Sequence, residues 1–202
     1  MRKDTKTIFL SIIAVLLLIA VGVGISYAYF QIQKDVDKGK VTVEAETDTA
    51  AEIDYTTGQD INLDLAEPGD SDSTEFNIAL TASNKAADKI TYGIDWIITK
   101  NEFVYEPEYP GMAQLVYSLY YSFDQNNWTP FIENADCTDL GKEATTSNPF
   151  THTIASNQEL SANANTTKTI YWKFVLEYKA YDFNQATNMS KTFNGKIKVT
   201  GI

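Results

Sequence analysis

The chain has 202 residues and a formal net charge of −11 at pH 7. A balance this acidic disfavours binding to nucleic acid and to anionic membrane surfaces, so neither is an expected partner. The single cysteine, Cys137, excludes an intrachain disulfide. We expect it to be a small buried apolar residue, with an intermolecular bridge as the alternative.

The N-terminus has the pattern of an export signal. The basic residues Arg2, Lys3 and Lys6 precede an apolar stretch, and no further charge occurs before Lys34. Ser26 and Ala28 flank Tyr27 as a signal peptidase site requires, which predicts a signal peptide over residues 1–28 and a mature chain that begins at Tyr29. Cleavage would take the net charge from −11 to −13. The alternative is an uncleaved transmembrane helix. Both readings place the rest of the chain outside the cytoplasm, secreted or held at the cell surface.

Residues 29–39 are predicted to form an extended N-terminal segment. Phe30 and Ile32 lie on one side of it and Gln31 and Gln33 on the other, as in a short strand with one apolar face. Such a strand is a natural donor to an open sheet edge of another copy of the chain. The alternatives are that it packs on its own domain or is only the end of the signal.

From residue 40 to 202 the pattern predicts one all-β domain. Apolar and polar residues alternate in many short stretches, which is typical of half-buried strands. We expect an antiparallel β-sandwich, jelly-roll or immunoglobulin-like. Residues 133–161 are polar and predict long loops with one short strand near Phe150–Ile154, and a short helix is plausible between Asn101 and Gln114. The alternating stretches begin near residues 41, 61, 76, 90, 115, 170 and 193.

Three segments together resemble the TasA/camelysin family of exported bacterial surface and biofilm-matrix proteins. They are Gly24–Phe30, Val36–Val43, and Leu65–Asp70 followed by Phe76–Ile78. The family usually has an aromatic residue where Val36 stands, and the resemblance ends near residue 96. It implies processing by a dedicated signal peptidase and polymerisation into matrix fibres, in which the N-terminal strand of one subunit completes the sheet of the next.

No enzyme signature is present, so no catalytic residue and no cofactor are predicted. His152 is the only histidine and is expected to be an ordinary strand-edge residue. A His-Glu-x-x-His zinc motif and a Gly-x-Ser-x-Gly nucleophile motif are both missing. The chain is therefore expected to be non-enzymatic.

Two groups of residues suggest ligand binding and also have ordinary structural explanations. Asp70, Asp72 and Glu75 are weak calcium candidates, although acidic residues after a turn are usually solvated. Six aromatic residues could include a platform for sugars, although such residues more often form the core of a sandwich. They are Tyr117, Tyr121, Phe123, Trp128, Tyr171 and Trp172.

The leading functional hypothesis is an exported surface or matrix protein that self-assembles into fibres by N-terminal strand addition. Its expected partners are other copies of itself, other matrix or surface proteins, and the signal peptidase and export machinery. The alternative is a monomeric, membrane-anchored adhesin or a carbohydrate-binding module.

Overall fold

The computed structural model describes residues 38–43, 51–56, 60–82, 88–106 and 108–200. The predicted signal peptide, with Ser26, Ala28 and Tyr29, and the donor residues Phe30 and Ile32 lie outside the described residues. Within the described residues, no helix is long and apolar enough to span a membrane. The ten strands are β1 (Lys38–Val43), β2 (Ala51–Thr56), β3 (Asp60–Ala66), β4 (Ser71–Thr81), β5 (Asp88–Asn101), β6 (Leu115–Ser122), β7 (Thr129–Asp136), β8 (Phe150–Ala162), β9 (Thr167–Tyr178) and β10 (Lys191–Thr200).

The strands form two sheets that pack face to face. Sheet A has the order β1-β2-β4-β9-β6-β7, and sheet B has the order β3-β10-β5-β8. The strand pairs that connect β2 through β10 are antiparallel. The prediction of an all-β antiparallel sandwich is therefore confirmed.

Alternation along the central strands sets which side chains enter the core. In β9, Trp172, Phe174 and Leu176 are buried, while the intervening Tyr171 and Lys173 are only half-buried. Because successive side chains of a strand point to opposite faces, one apolar set faces the other sheet. The same pattern holds along most of β4 and β5.

The centre of the core is a group of aromatic rings that joins the two sheets. The Trp96 ring of β5 lies 4.8 Å from Phe174, 5.0 Å from Phe193 and 5.4 Å from Tyr117, measured between ring centroids. Aromatic pairs at such distances add to the free energy of burial. Cys137 has no exposed surface, as predicted, and burial raises the pKa of its thiol well above the ordinary value.

Three sequence predictions are wrong in detail. Residues 133–161 are not mainly loop, because they contain the end of β7 and all but the last residue of β8. No helix lies among the described residues of 101–114; the backbone N–H of Phe103 instead donates to Asn101 Oδ1 at 3.0 Å, a local bond that competes with helix formation. The alternating stretch that begins near residue 61 predicts that Leu65 faces inward with Ile61 and Leu63. Leu65 is instead 70% exposed, because its backbone adopts a φ of 51° that breaks the alternation.

Gly195 is required where β10 crosses the Trp96 ring. A Cβ placed on this residue would lie 2.6 Å from Trp96 Nε1 and 3.1 Å from the carbonyl oxygen of Ile97. The first contact is far shorter than van der Waals separation, so a larger residue would push the indole out of its place between the sheets.

We predict that Gly195→Ala lowers the free energy of unfolding by about 1–3 kcal/mol, the usual cost of overpacking a core. Urea denaturation of the variant and the unmodified chain measures this difference in the free energy of unfolding. Lys198→Ala, at an exposed position of the same strand, is the control and should change stability by no more than about 0.5 kcal/mol. Equal stability of the two variants would show that the core tolerates a methyl group here.

Candidate functional site

Functional residues in a sandwich lie at its free edges and end loops, because the inner faces are used for packing. Two contacts show which strands of the two sheets lie near each other. The backbone N–H of Asn62 in β3 donates to Asp72 Oδ2 in β4 at 2.9 Å, and Tyr117 of β6 shares a hydrogen bond of 3.2 Å with His152 of β8. The β3 edge therefore lies beside β4, and β8 lies against β6 at His152.

The β3 edge is protected against pairing with another strand. It is only seven residues long, and Asp72 already accepts a hydrogen bond from the Asn62 amide. The left-handed backbone at Leu65 interrupts it near its end. Short length, edge charges and irregular backbone are the devices by which proteins prevent edge-to-edge association.

The β7 edge is protected in a different way. Pro130 cannot donate a backbone hydrogen bond, and Asn134 has a φ of 50°. The pairing of β7 with β6 shifts register twice, between Tyr117 and Leu119 and between Leu119 and Tyr120. An added strand would meet an irregular ladder here.

The β8 edge is the longest of the three. The strand runs for 13 residues without a proline, and its single acidic residue, Glu159, forms an ion pair with Lys89 of β5. It is irregular near its middle, where the pairing with β5 shifts register on either side of Ile94 and Asn157 has a φ of 52°. Four residues of β8 are serine or threonine, which suit a solvated edge and can be covered by an added strand at modest cost. Of the three edges whose side chains are described, β8 is the best template for an added strand.

Aromatic surface is exposed on the β7 side of the sandwich. The Phe131 ring of β7 lies 5.5 Å from the buried Trp172, yet 41% of Phe131 is exposed. Phe123, which follows β6, is 53% exposed and lies 5.9 Å from Tyr121. The core is therefore incompletely covered here.

His152 lies on the edge strand β8, as predicted, and is half-buried against the sandwich. It pairs with Trp96 across the sheet, and its Nε2 bonds to the Tyr117 hydroxyl. Burial lowers the pKa of His152 from its ordinary value of 6.5, and the charge of Asp95 partly opposes that effect. The ring therefore fills a structural position between two strands.

We predict that the sandwich loses stability as pH falls below about 6.5, because the unfolded chain then binds a proton at His152 more readily than the folded chain does. The loss continues down to the lowered pKa of the folded state. His152→Gln should flatten this part of the profile, leaving the carboxylate-dependent loss at lower pH. Urea midpoints measured between pH 5 and 8 test this. An unchanged pH profile in the variant would contradict the assignment.

The three calcium candidates do not form one cluster. Asp70 Oδ2 accepts the backbone N–H of Glu67 at 2.8 Å, and both oxygens of Asp72 accept backbone N–H groups. Glu75 is 3.6 Å from Lys173 Nζ in an ion pair. In the part of the chain that the structure describes, no group of three or more His, Cys, Asp or Glu residues could hold a metal ion.

The six aromatic candidates do not share one exposed face. Tyr117 and Trp172 are buried in the core, so they cannot stack on a sugar. Tyr121 and Phe123 lie together on the β7 side, and Lys173 Nζ lies 5.9 Å from the centre of the Trp128 ring. A single platform made from all six is therefore excluded.

A groove that the sequence did not predict lies between the loops of residues 102–114 and 179–190. We call it the loop groove. Its volume is about 350 Å³, within the range of roughly 300–1,000 Å³ for small-molecule sites. The residues that line it combine aromatic, acidic, amide and hydroxyl groups: Tyr105, Glu106, Glu108, Tyr109, Asn184 and Thr187.

Comparison with known proteins assigns no family. No family model matches the chain, and no curated protein matches it. Solved structures with some similarity include infectious bursal disease virus strain Gx (10% identity, 79% of this chain and 35% of that chain, TM-score 0.35). The carbohydrate-binding module TmCBM61, in complex with β-1,4-galactotriose, is 12% identical over 82% of this chain and 83% of that chain, with a TM-score of 0.25.

A further similar structure is the xylan-binding domain CBM22-2 from Paenibacillus barcinonensis, with 9% identity over 73% of this chain and 91% of that chain and a TM-score of 0.21. This chain spans about a third of the length of the viral protein. Because every TM-score is below 0.5, these similarities carry no argument about the function of this chain.

Proposed function

We propose that this chain is an exported, non-enzymatic surface or matrix protein that assembles head to tail by strand addition. In this proposal residues 29–33 of one copy pair with the β8 edge of the next. The signal-like N-terminus and the resemblance to the TasA/camelysin family support export and assembly. The observation that carries the choice of acceptor is the β8 edge itself, which runs for 13 residues without a proline.

A donor segment and an acceptor edge make a contact of two different surfaces. Such a heterologous contact continues from subunit to subunit unless its rotation closes a ring. In this contact the apolar face of the donor, with Phe30 and Ile32, would turn toward the core of the next copy.

We also infer that the sandwich is a jelly roll and not an immunoglobulin-like fold. Strands β3 to β10 alternate between two four-stranded groups, β3-β10-β5-β8 and β4-β9-β6-β7. This is the order of two nested Greek keys in a double-sheet jelly roll. Strands β1 and β2 extend one sheet beyond it.

We predict that changing both Phe30 and Ile32 to Asp leaves a folded monomer where the unmodified mature chain forms filaments or large oligomers. Burial of the two apolar side chains would be worth about 1.5–3 kcal/mol each, and burying two unpaired carboxylates costs more than that. Sedimentation velocity and electron microscopy measure assembly, and circular dichroism checks the fold.

The matched control changes Gln31 and Gln33 to Asp, which adds the same charge on the opposite side of the segment and should reduce assembly less. Deletion of residues 29–35 should act like the Phe30 and Ile32 variant. Polymerisation of the Phe30 and Ile32 variant at the normal rate would contradict donation by this segment. Its unfolding would instead place the segment in the core of its own domain.

Processing gives a separate prediction: mass spectrometry of exported material should show a chain that begins at Tyr29 or within a residue of it. Full-length chain found only in membranes would contradict cleavage and would favour the alternative of a membrane-anchored adhesin or carbohydrate-binding module. The loop groove is the observation that favours a binding role of that kind.

A further inference from the structure

The loop groove is built on a buried polar network that fixes its two loops. Asn188 has no exposed surface; its Nδ2 donates to Val104 O at 2.9 Å and to Gln114 Oε1 at 3.1 Å, and its Oδ1 accepts from Val104 N at 2.8 Å. Gln185 donates to Lys179 O at 2.8 Å and to Gln114 at 3.3 Å. Satisfied networks of this kind hold a single arrangement, so the groove is preorganised.

Tyr109, which lines the groove, belongs to a stack of three aromatic rings. Tyr109 lies 3.7 Å from Phe183 with an angle of 15° between the rings, and Tyr181 lies 5.2 Å from Phe183 at 11°. The Tyr181 hydroxyl donates to Ala113 O at 2.9 Å, which ties this stack to the opposite loop. Tyr109 is held by its neighbours and also lines the cavity, so its ring is available to a ligand without rearrangement.

The groove is also strongly acidic. The two loops carry Glu102, Glu106, Glu108 and Asp182, and their single basic residue, Lys179, forms an ion pair of 2.7 Å with Glu177 of β9. Glu106 accepts a hydrogen bond of 2.7 Å from Gln114 through one oxygen. Glu106 also affects the buried Tyr178. Burial raises the pKa of Tyr178 to about 12, and the negative charges of Glu106 and Glu67 contribute to the same shift.

Carboxylates beside a tyrosine ring are suited to a cation that also has an apolar face. A protonated amine is attracted both by the carboxylates and by the ring. Asn184 and Thr187 add groups that hydrogen-bond hydroxyls. A ligand with an ammonium group, a flat face of C–H groups and several hydroxyls satisfies all three parts of the lining.

We propose that the loop groove binds an amino-bearing pyranose, such as a glucosamine unit of a cationic polysaccharide. The sugar ring stacks on Tyr109, its ammonium group lies between Glu106 and Glu108, and its hydroxyls bond to Asn184 and Thr187. A lysine side chain of a protein shares the ammonium group but has no ring to stack and no hydroxyls. The site is distant in sequence from residues 29–33 and from β8, so this inference does not depend on assembly by strand addition.

The test is isothermal titration calorimetry of the purified mature chain with β-1,4-linked glucosamine trisaccharide. The N-acetylated trisaccharide and Nα-acetyl-lysine methylamide, which keeps its side-chain ammonium group, serve as comparison ligands. We expect the amino trisaccharide to bind and the acetylated one, which lacks the positive charge, to bind at least about tenfold more weakly. Raising the salt concentration should weaken the binding of the amino trisaccharide.

Two variants locate the binding. Glu108→Gln removes a carboxylate at an exposed position and should lower the affinity for the amino trisaccharide by about tenfold. Circular dichroism checks that the fold is intact. Tyr109→Ala should weaken it further by removing the stacking surface. Phe123→Ala, on the exposed aromatic surface of the β7 side, is the control and should not change binding.

Four results would overturn the proposal: no binding of the amino trisaccharide, equal binding of the acetylated sugar, equal binding of the lysine derivative, or unchanged binding in both groove variants. Equal binding of the acetylated sugar would indicate a neutral glycan site, and equal binding of the lysine derivative would indicate a protein ligand. None of these results would alter the assembly of the chain, so failure here is distinguishable from failure of the proposed function.

Discussion

The packing of Trp96 between the two sheets is the contact on which the rest of the structure depends. The described chain has no disulfide, since its one cysteine is free and buried, so the sheets are joined by side-chain packing. The indole meets Phe174 and Tyr117 of sheet A and Phe193 of its own sheet, and only a glycine fits beside it at residue 195. Stability of this domain is thereby concentrated in a few aromatic contacts.

Because the core uses the inner faces of both sheets, accessible side chains lie at the edges and in the loops. The central strands use their inward residues for packing, whereas β7, β8 and the loops of residues 102–114 and 179–190 make fewer such contacts and keep polar or aromatic groups accessible. The proposed assembly and the proposed ligand binding therefore use different parts of the molecule: assembly uses the edge strand β8, and the groove lies where the loops meet.

The sequence was sufficient to predict the central strands and insufficient for the edges. Alternation in β9 and β10 reflects burial on one face and solvent on the other, which is visible in one sequence. Strand β7 is exposed nearly throughout and β8 changes phase at Asn157, so neither shows a sustained period of two. The pattern cannot distinguish such a strand from a polar loop.

The loop groove could not be predicted because its residues are brought together over long separations. Gln114 contacts Gln185 and Asn188, which are 71 and 74 residues further along the chain. No local spacing indicates such a network. The available signal was indirect: two acids, Glu106 and Glu108, lie between Tyr105 and Tyr109 in the segment where a helix was expected.

The central claim is that β8 receives a strand from another copy, and hydrogen–deuterium exchange tests it most directly. Backbone amides of an edge strand that gains a partner exchange more slowly, because each new hydrogen bond must open first. The account predicts that assembly of the mature chain slows exchange within Phe150–Ala162 and within residues 29–33, and leaves β3 and the loop groove unchanged. Slower exchange at β3, with β8 unaffected, would contradict it.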